Sequence, residues 1–242
     1  MIMFYLCSIV LVGFSLYIYC LIFKYPKLAS SFEQSGDTKL FDLAKRKDFT
    51  EIVYSALPFA VLLIVLKTFF VDVVTIPSGS MLPNFPIGSM AFINKTTFGV
   101  RSPLTGVSVT QGRYPKLGEA IISKFPLNPD VLYIKRVVGL PGDMVSLSNK
   151  ALTINNVDYP LQLTDQMQVK IKDKQVLHDV YEIEIGSIKY RVIANVNKPF
   201  PVIMETVVTE DSFYLLGDNL TGSGDSRTYG SVPWSYLIGS IM

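Results

Sequence analysis

The chain has 242 residues, of which 49% are apolar and 17% charged, and it carries a net charge of +2. That balance is a membrane protein's rather than a soluble one's, and so small a charge, with no basic block interleaved with aromatics, offers no case for a nucleic-acid partner. The two cysteines, Cys7 and Cys20, both fall in the first apolar segment, so no disulfide framework is expected, and no Cys/His cluster has the spacing of a metal site.

Between Ile2 and Phe23 lie 22 residues without a formal charge. At about 1.5 Å of rise per residue that is enough to cross a bilayer core. A cleaved signal peptide would need a positive n-region, a shorter apolar core and a small-x-small site, none of which is present. A second apolar segment runs from Ile52 to Val71. Its Pro58 is tolerated in membrane helices, and Lys67 can snorkel to the interface along its own stem. The loop between the two holds Lys24, Lys27, Lys39, Lys45, Arg46 and Lys47, whereas no Lys or Arg precedes the first segment. The positive-inside rule puts that loop in the cytoplasm and both termini outside. The expected organisation is a first transmembrane helix at 1–23, a cytoplasmic loop at 24–51, a second transmembrane helix at 52–71 and an extracytoplasmic domain at 72–242.

The last domain reads as β. Runs such as "MAFIN", "EAIISKF", "LYIKRVVG", "MVSLSNKALTINN", "YEIEIGSIKYRVI" and "FYLLGD" are rich in β-branched and aromatic residues and are punctuated by Gly, Pro, Asn and Asp. A hairpin is expected to turn near Gly186-Ser187. Nothing beyond residue 71 shows a long 3.6-residue period. The predicted architecture is two amino-terminal helices followed by an all-β, mainly antiparallel domain.

Three stretches carry chemistry. "TIPSGSMLPNF" at 75–85 brackets a glycine with Ser78 and Ser80, and prolines stiffen both flanks. Ser, Gly and Pro make ordinary turns, but a nucleophilic serine would also suit this setting if a base were at hand. "YIKRVVGLPGD" at 133–143 alternates as a strand, so Tyr133, Lys135 and Val137 share one face and Ile134, Arg136 and Val138 the other. Alternation alone does not choose between Lys135 and Arg136. Chemistry does, because arginine stays protonated whereas a lysine in apolar surroundings loses its charge and becomes a general base for a hydroxyl. "GDNLTGSGDSRTYGSVP" at 217–233 places Ser223, Asp225 and Arg227 at alternate positions, a spare hydroxyl beside an ion pair.

Taken in this order behind two apolar spans, "PSGSMLP", "YIKRVVGLPGD" and the Gly217–Pro233 stretch resemble bacterial type I signal peptidase, the leader peptidase family. The resemblance implies Ser80 as nucleophile and Lys135 as general base. It implies Ser78, with the Ser80 backbone N–H, as the oxyanion hole. It gives Ser223 the task of orienting the lysine, with Asp225 and Arg227 as a supporting pair. Val74, Ile76, Pro77, Phe85, Tyr133 and Ile134 fall where the family lines shallow pockets for small side chains. Gly79 would let the backbone approach the scissile carbonyl. No cofactor or metal is implied. The implied partners are exported preproteins, a lipid bilayer and the export machinery beside which the family works. The implied location is the bacterial cytoplasmic membrane, multi-pass, with the catalytic domain on the extracytoplasmic side.

Some positions depart from the family pattern. Leu220-Thr221-Gly222 replaces an Arg-Asp-Asn often found there, Gly88-Ser89-Met90 lacks the usual acid, Glu119 stands for Asp, and Phe85 stands for leucine. The Phe85 change predicts a tighter pocket. The chain also ends at Met242, where many members run further. Three other readings compete. A membrane-tethered β scaffold would need Ser80 or Lys135 replaced. A Ser-Lys self-cleaving regulator would want an amino-terminal DNA-binding module. A His178 base would sit outside every motif, and an ordinary surface or half-buried histidine is the expectation there.

Overall fold

The computed structural model describes residues 56, 59–60, 62–100, 110–171 and 174–242. The first predicted span and the basic loop after it lie outside the described residues. The chain divides into two compact units, Met1–Thr68 and Phe69–Met242. Residues 62–69 are helical. Among the described residues no helix is long and apolar enough to cross a membrane.

The second unit is built of antiparallel strands, in chain order β1 (Val71–Thr75), β2 (Met90–Asn94), β3 (Ala120–Phe125), β4 (Asn128–Gly139), β5 (Met144–Leu147), β6 (Ala151–Ile154) and β7 (Val157–Pro160), then β8 (Gln162–Ile171), β9 (Lys174–Ile185), β10 (Ile188–Asn195), β11 (Ile203–Val207), β12 (Ser212–Leu216), β13 (Val232–Pro233) and β14 (Leu237–Ile241). They form a seven-stranded sheet of order β1-β2-β14-β3-β4-β12-β13, a three-stranded sheet β10-β9-β8 and a four-stranded sheet β11-β5-β6-β7. The predicted hairpin turns at Gly186-Ser187, with Ile185 paired to Ile188. The helix in the rest of this unit, among the described residues, amounts to the turn Ser226–Tyr229 and two 3-10 turns.

β4 organises the unit because from Lys135 to Gly139 both of its faces are buried. Residues opposite one another in a ladder point the same way, and Lys135 pairs with Ile121 while Arg136 pairs with Ala120 and with Leu216. Lys135 therefore sits on the side where Ile121, Val137, Phe213, Leu215 and Leu237 make one core. Arg136 sits on the opposite side, where Val138, Tyr190, Val192 and Leu216 belong to a larger core that joins all three sheets. A third cluster of Val169, Val180 and Ile193 receives Leu82 from the serine-bearing turn.

The segment 162–180 escapes the pattern read from the sequence. β8 is exposed at most positions, Leu163 included; its second half alternates Met167, Val169 and Ile171 with Gln166, Gln168 and Lys170, and its whole length is held in the β9 ladder. His178 differs from expectation too. It lies on β9, is 1% exposed, and its Nδ1 is 2.9 Å from the Val176 carbonyl.

Leu215 is fully buried between β4 and β13. Leu215→Ala should cost about 2–5 kcal/mol of unfolding free energy, measured by denaturant titration of the detergent-solubilised chain.

Candidate active site

The serine-bearing loop is closed at its base. The Ile76 amide donates to the Ser89 carbonyl at 2.9 Å, and the Gly88 amide donates to Ile76 at 2.8 Å. Within the loop Gly79–Met81 make one 3-10 turn, and Met81, 1% exposed, anchors it in the interior. Ser80 thus stands beside a buried anchor with its hydroxyl turned to β4. Its Oγ lies 2.9 Å from Lys135 Nζ and 3.3 Å from Ser78 Oγ. The lysine Nζ also donates to the Ile134 carbonyl at 3.0 Å.

Lys135 is 2% exposed. Burial takes its pKa from the ordinary 10.5 down to about 8; the negative charges of Asp225 and Asp218 oppose the shift, and the positive charge of Arg227 assists it. Tyr133, two residues back on the same face, puts its ring centroid 5.0 Å from Nζ and stacks on Phe125 at 4.5 Å. The neighbouring cation behaves in the opposite way. Arg136 grips Asp218 through Nε and Nη2, each at 2.7 Å, donates to the Gly118 carbonyl, and lies 3.8 Å from the Tyr190 ring centroid. Each face of β4 buries one cation, one in a bidentate ion pair and the other against a hydroxyl and a carbonyl. That difference separates a structural arginine from a lysine able to give up its proton.

The glycine-rich loop after β12 supports the pair from below. Asp225, fully buried, accepts from the Gly217 amide at 2.9 Å and from Arg227 Nε and Nη2 at 2.7 Å each. Arg227 Nη1 in turn donates to the Leu220 carbonyl at 2.7 Å, so the loop is tied across its neck. Asn219 reaches the serine turn twice, its amide donating to Ser80 O at 3.0 Å and its Nδ2 to Gly79 O at 3.1 Å. Gly217 permits this approach, since a Cβ there would collide with Ser223 and with Ser80 O. Ser223 Oγ is buried and has no hydrogen-bond partner, so it is not bonded to Lys135 in this state. The other side chains marked as pocket residues differ in exposure: Ile76 is buried, Pro77 is exposed, and Val74, Phe85, Tyr133 and Ile134 are half-buried.

The departures from the family pattern have local reasons. Leu220 is buried in the large core, Thr221 Oγ1 accepts from the Asn195 amide at 2.9 Å, and Gly222 lies where a Cβ would run into the Asn219 carboxamide. Glu119 takes both arms of Arg113 at 2.7 and 2.9 Å and the Lys116 amide at 2.8 Å. The Ser89 hydroxyl closes its turn on Pro86 O at 2.6 Å. A Cβ on Gly79 would meet Leu82 Cδ1 at 3.1 Å and Ile87 Cδ1 at 3.5 Å, contacts that flexible side chains can relieve. Internal packing alone does not demand glycine there.

Sequence reasoning overlooked Asn84 and gave Asp218 and Asn219 no role, although all three touch the loop that carries Ser80. All three stood inside the quoted stretches, Asn84 in the serine-bearing one and Asp218 and Asn219 in the glycine-rich one; what had no local signal was the distant partner each would meet. Among the described residues no group of His, Cys, Asp and Glu is placed to hold a metal ion.

This arrangement, a serine hydroxyl against a buried amine with a second hydroxyl beside it, is equipped for acyl transfer. The family model for signal peptidase, peptidase S26, matches residues 49–242. A signal peptidase I of Pseudomonas fluorescens is 30% identical over 187 residues, covering 76% of this chain and 64% of the relative. The signal peptidase I of Buchnera aphidicola from Schizaphis graminum is 27% identical, covering 81% of this chain and 75% of its own length. That of Pseudomonas aeruginosa is 28% identical, with coverages of 76% and 64%. The chain belongs to the peptidase S26 family of signal peptidases.

The charges around Lys135 make a signed prediction. Arg227 lowers the lysine pKa, and its partner Asp225 raises it. Arg227→Met removes the first and uncovers the second, so both changes favour the ammonium. The acid limb of the pH–rate profile for peptide cleavage should move to higher pH than in the wild type.

Proposed function

We propose that the protein is a membrane-bound serine endopeptidase that removes amino-terminal signal peptides from exported preproteins after small-x-small sites. The observation that carries this reading is the 2.9 Å separation of Ser80 Oγ and a Lys135 amine whose pKa lies near 8. With Lys135 neutral, the Ser80 hydroxyl donates its proton to Nζ as Oγ bonds to the scissile carbonyl carbon. The carbonyl oxygen takes up the displaced electron pair and becomes an oxyanion. Ser78 Oγ, freed from Ser80 Oγ, and the Ser80 backbone N–H donate to it; one such donor is worth about 2.7–4 kcal/mol of barrier. Collapse of the oxyanion breaks the C–N bond, and the lysine ammonium protonates the leaving amine, which is the new amino terminus of the mature protein. A water molecule then gives a proton to Lys135 as its oxygen bonds to the acyl carbon; collapse of this second oxyanion breaks the ester C–O bond, the ammonium returns the proton to Ser80 Oγ, and the signal peptide leaves with a new carboxyl terminus.

Ser223 belongs to the same reading. Its unpartnered hydroxyl is available to take a hydrogen bond from the lysine once Ser80 is acylated and no longer offers its own. Asp225 and Arg227 hold the loop that carries it. The shallow pockets are assigned to Val74, Ile76, Pro77, Phe85, Tyr133 and Ile134.

The membrane setting has support of its own within the β unit. Ile87, Met90, Phe92, Leu127 and Leu132 are between 46% and 74% exposed, large apolar side chains that a bilayer would cover. Met90, Phe92 and Leu132 lie on the same sheet as Lys135, and Leu127 is at the β3–β4 turn. A bilayer in contact with these side chains would bring a preprotein anchored by its own apolar segment to the site at high effective concentration. The two predicted amino-terminal spans would supply the anchor, with the β unit on the extracytoplasmic side beside the export machinery.

Two experiments test the reading. Detergent-solubilised wild type should cleave a preprotein whose signal ends in Ala-x-Ala, and Ser80→Ala and Lys135→Arg should not, because guanidinium cannot serve as a base. Lys135→Arg with near-normal turnover would refute the mechanism. In proteoliposomes, Phe92→Asp should slow cleavage of a membrane-anchored preprotein and leave cleavage of a short soluble peptide unchanged. Equal slowing of both would remove the bilayer-contact reading.

A further inference from the structure

The serine turn and the strand that carries Lys135 come from distant parts of the chain, and something must set the gap between them. Asn84 closes the serine turn four residues after Ser80. Its Nδ2 donates to the Arg191 carbonyl on β10 and to Asp218 Oδ2, both at 2.6 Å, and its Oδ1 lies 3.4 Å from the Arg191 amide. Both amide hydrogens are thus committed, one to a strand and one to a carboxylate that is itself 1% exposed. That carboxylate is the one held by Arg136, the residue next to Lys135. The residue after Asp218 is Asn219, which bonds the other end of the same turn at Ser80 O and Gly79 O. Two consecutive residues therefore grip the turn at both ends, and the first of them also holds the lysine strand.

We infer that Asn84 is a positioning residue for the reaction, fastening the serine turn to the Asp218–Arg136 pair and so setting the distance between Ser80 and Lys135. The inference rests on the peptidase reading above. Asn84 does not contact Lys135, and Asp218 keeps its Arg136 partner without it, so Asn84 acts through the placement of Ser80. Phe85, next in the chain, is among the residues assigned to the substrate pockets, so KM is read beside kcat to separate a shifted serine from a disturbed pocket. Without the carboxamide the turn keeps its anchors at Met81 and Asn219 but loses the tie at its far end, and the serine hydroxyl is free to drift from the amine.

The test compares wild type, Asn84→Ala and Asn84→Asp, as full-length proteins in detergent, on a preprotein with an Ala-x-Ala site. Asn84→Asp keeps the volume but removes the donors and faces Asp218 with a like charge, so it separates hydrogen bonding from packing. A misplacement of about 1 Å costs on the order of 10²-fold in rate. Asn84→Ala should therefore lose about that factor in kcat, with KM within about threefold and the acid limb of its pH profile unmoved. Asn84→Asp should lose at least as much. If Asn84→Ala does not fold, Asn84→Ser decides: its hydroxyl can serve one of the two acceptors, and an intermediate kcat at unchanged KM supports the assignment. Wild-type kcat in any folded variant of this set, or a loss confined to KM, overturns it. An inert wild type would instead overturn the peptidase reading, and the inference with it.

Discussion

Everything distinctive about this site depends on a lysine kept out of water without a carboxylate to hold its charge. Lys135 Nζ has Ser80 Oγ on one side and a backbone carbonyl on the other, and the nearest acids, Asp225 and Asp218, are bonded elsewhere. A pKa lowered from 10.5 to about 8 means that, below pH 8, the folded chain holds this proton less tightly than the unfolded one by about 3 kcal/mol. The cost is therefore full at neutral pH, and it fades as pH rises from 8 towards 10.5. The fold bears it through the two cores that β4 separates, and the return is an amine able to take a proton from a serine.

Arg136 shows the alternative that the same strand could have offered. One residue along and facing the other way, it is almost as buried as Lys135, yet Asp218 neutralises it in a fork that a guanidinium fits and an ammonium does not. The two cations divide the work. Arg136 fixes β4 against the loop after β12, and that loop, through Asn219, holds the carbonyls of Gly79 and Ser80. Lys135 needs no ion pair of its own because its neighbour's ion pair holds the frame.

The legible part of the structure was its local grammar. Met90–Asn94, the β5–β6 stretch and the turn at Gly186-Ser187 announced themselves through β-branched and aromatic runs broken by turn residues, and the mainly antiparallel β unit follows from them. Lys135 could be preferred to Arg136 from the chemistry of the two side chains alone. What escaped was whatever depends on a distant partner. β8 is a largely exposed ribbon whose first half, Gln162–Gln166, mixes polar residues without a period, and its pairing with β9 completes the strand. Asn84 reads as one more turn residue until Arg191 and Asp218, 107 and 134 positions away, are brought against it. The burial of His178 and of Leu220 likewise has no local mark, since both depend on which strands happen to cover them.

The most direct measurement is the titration of Lys135 itself, followed by the 13C shift of its ε-carbon in selectively labelled protein and assigned against Lys135→Met. The account predicts an apparent pKa near 8 in the folded chain, returning to the ordinary lysine range on unfolding. A folded-state value at or above 10.5 would mean that the lysine is a permanent cation, and Ser80 would have no base within reach.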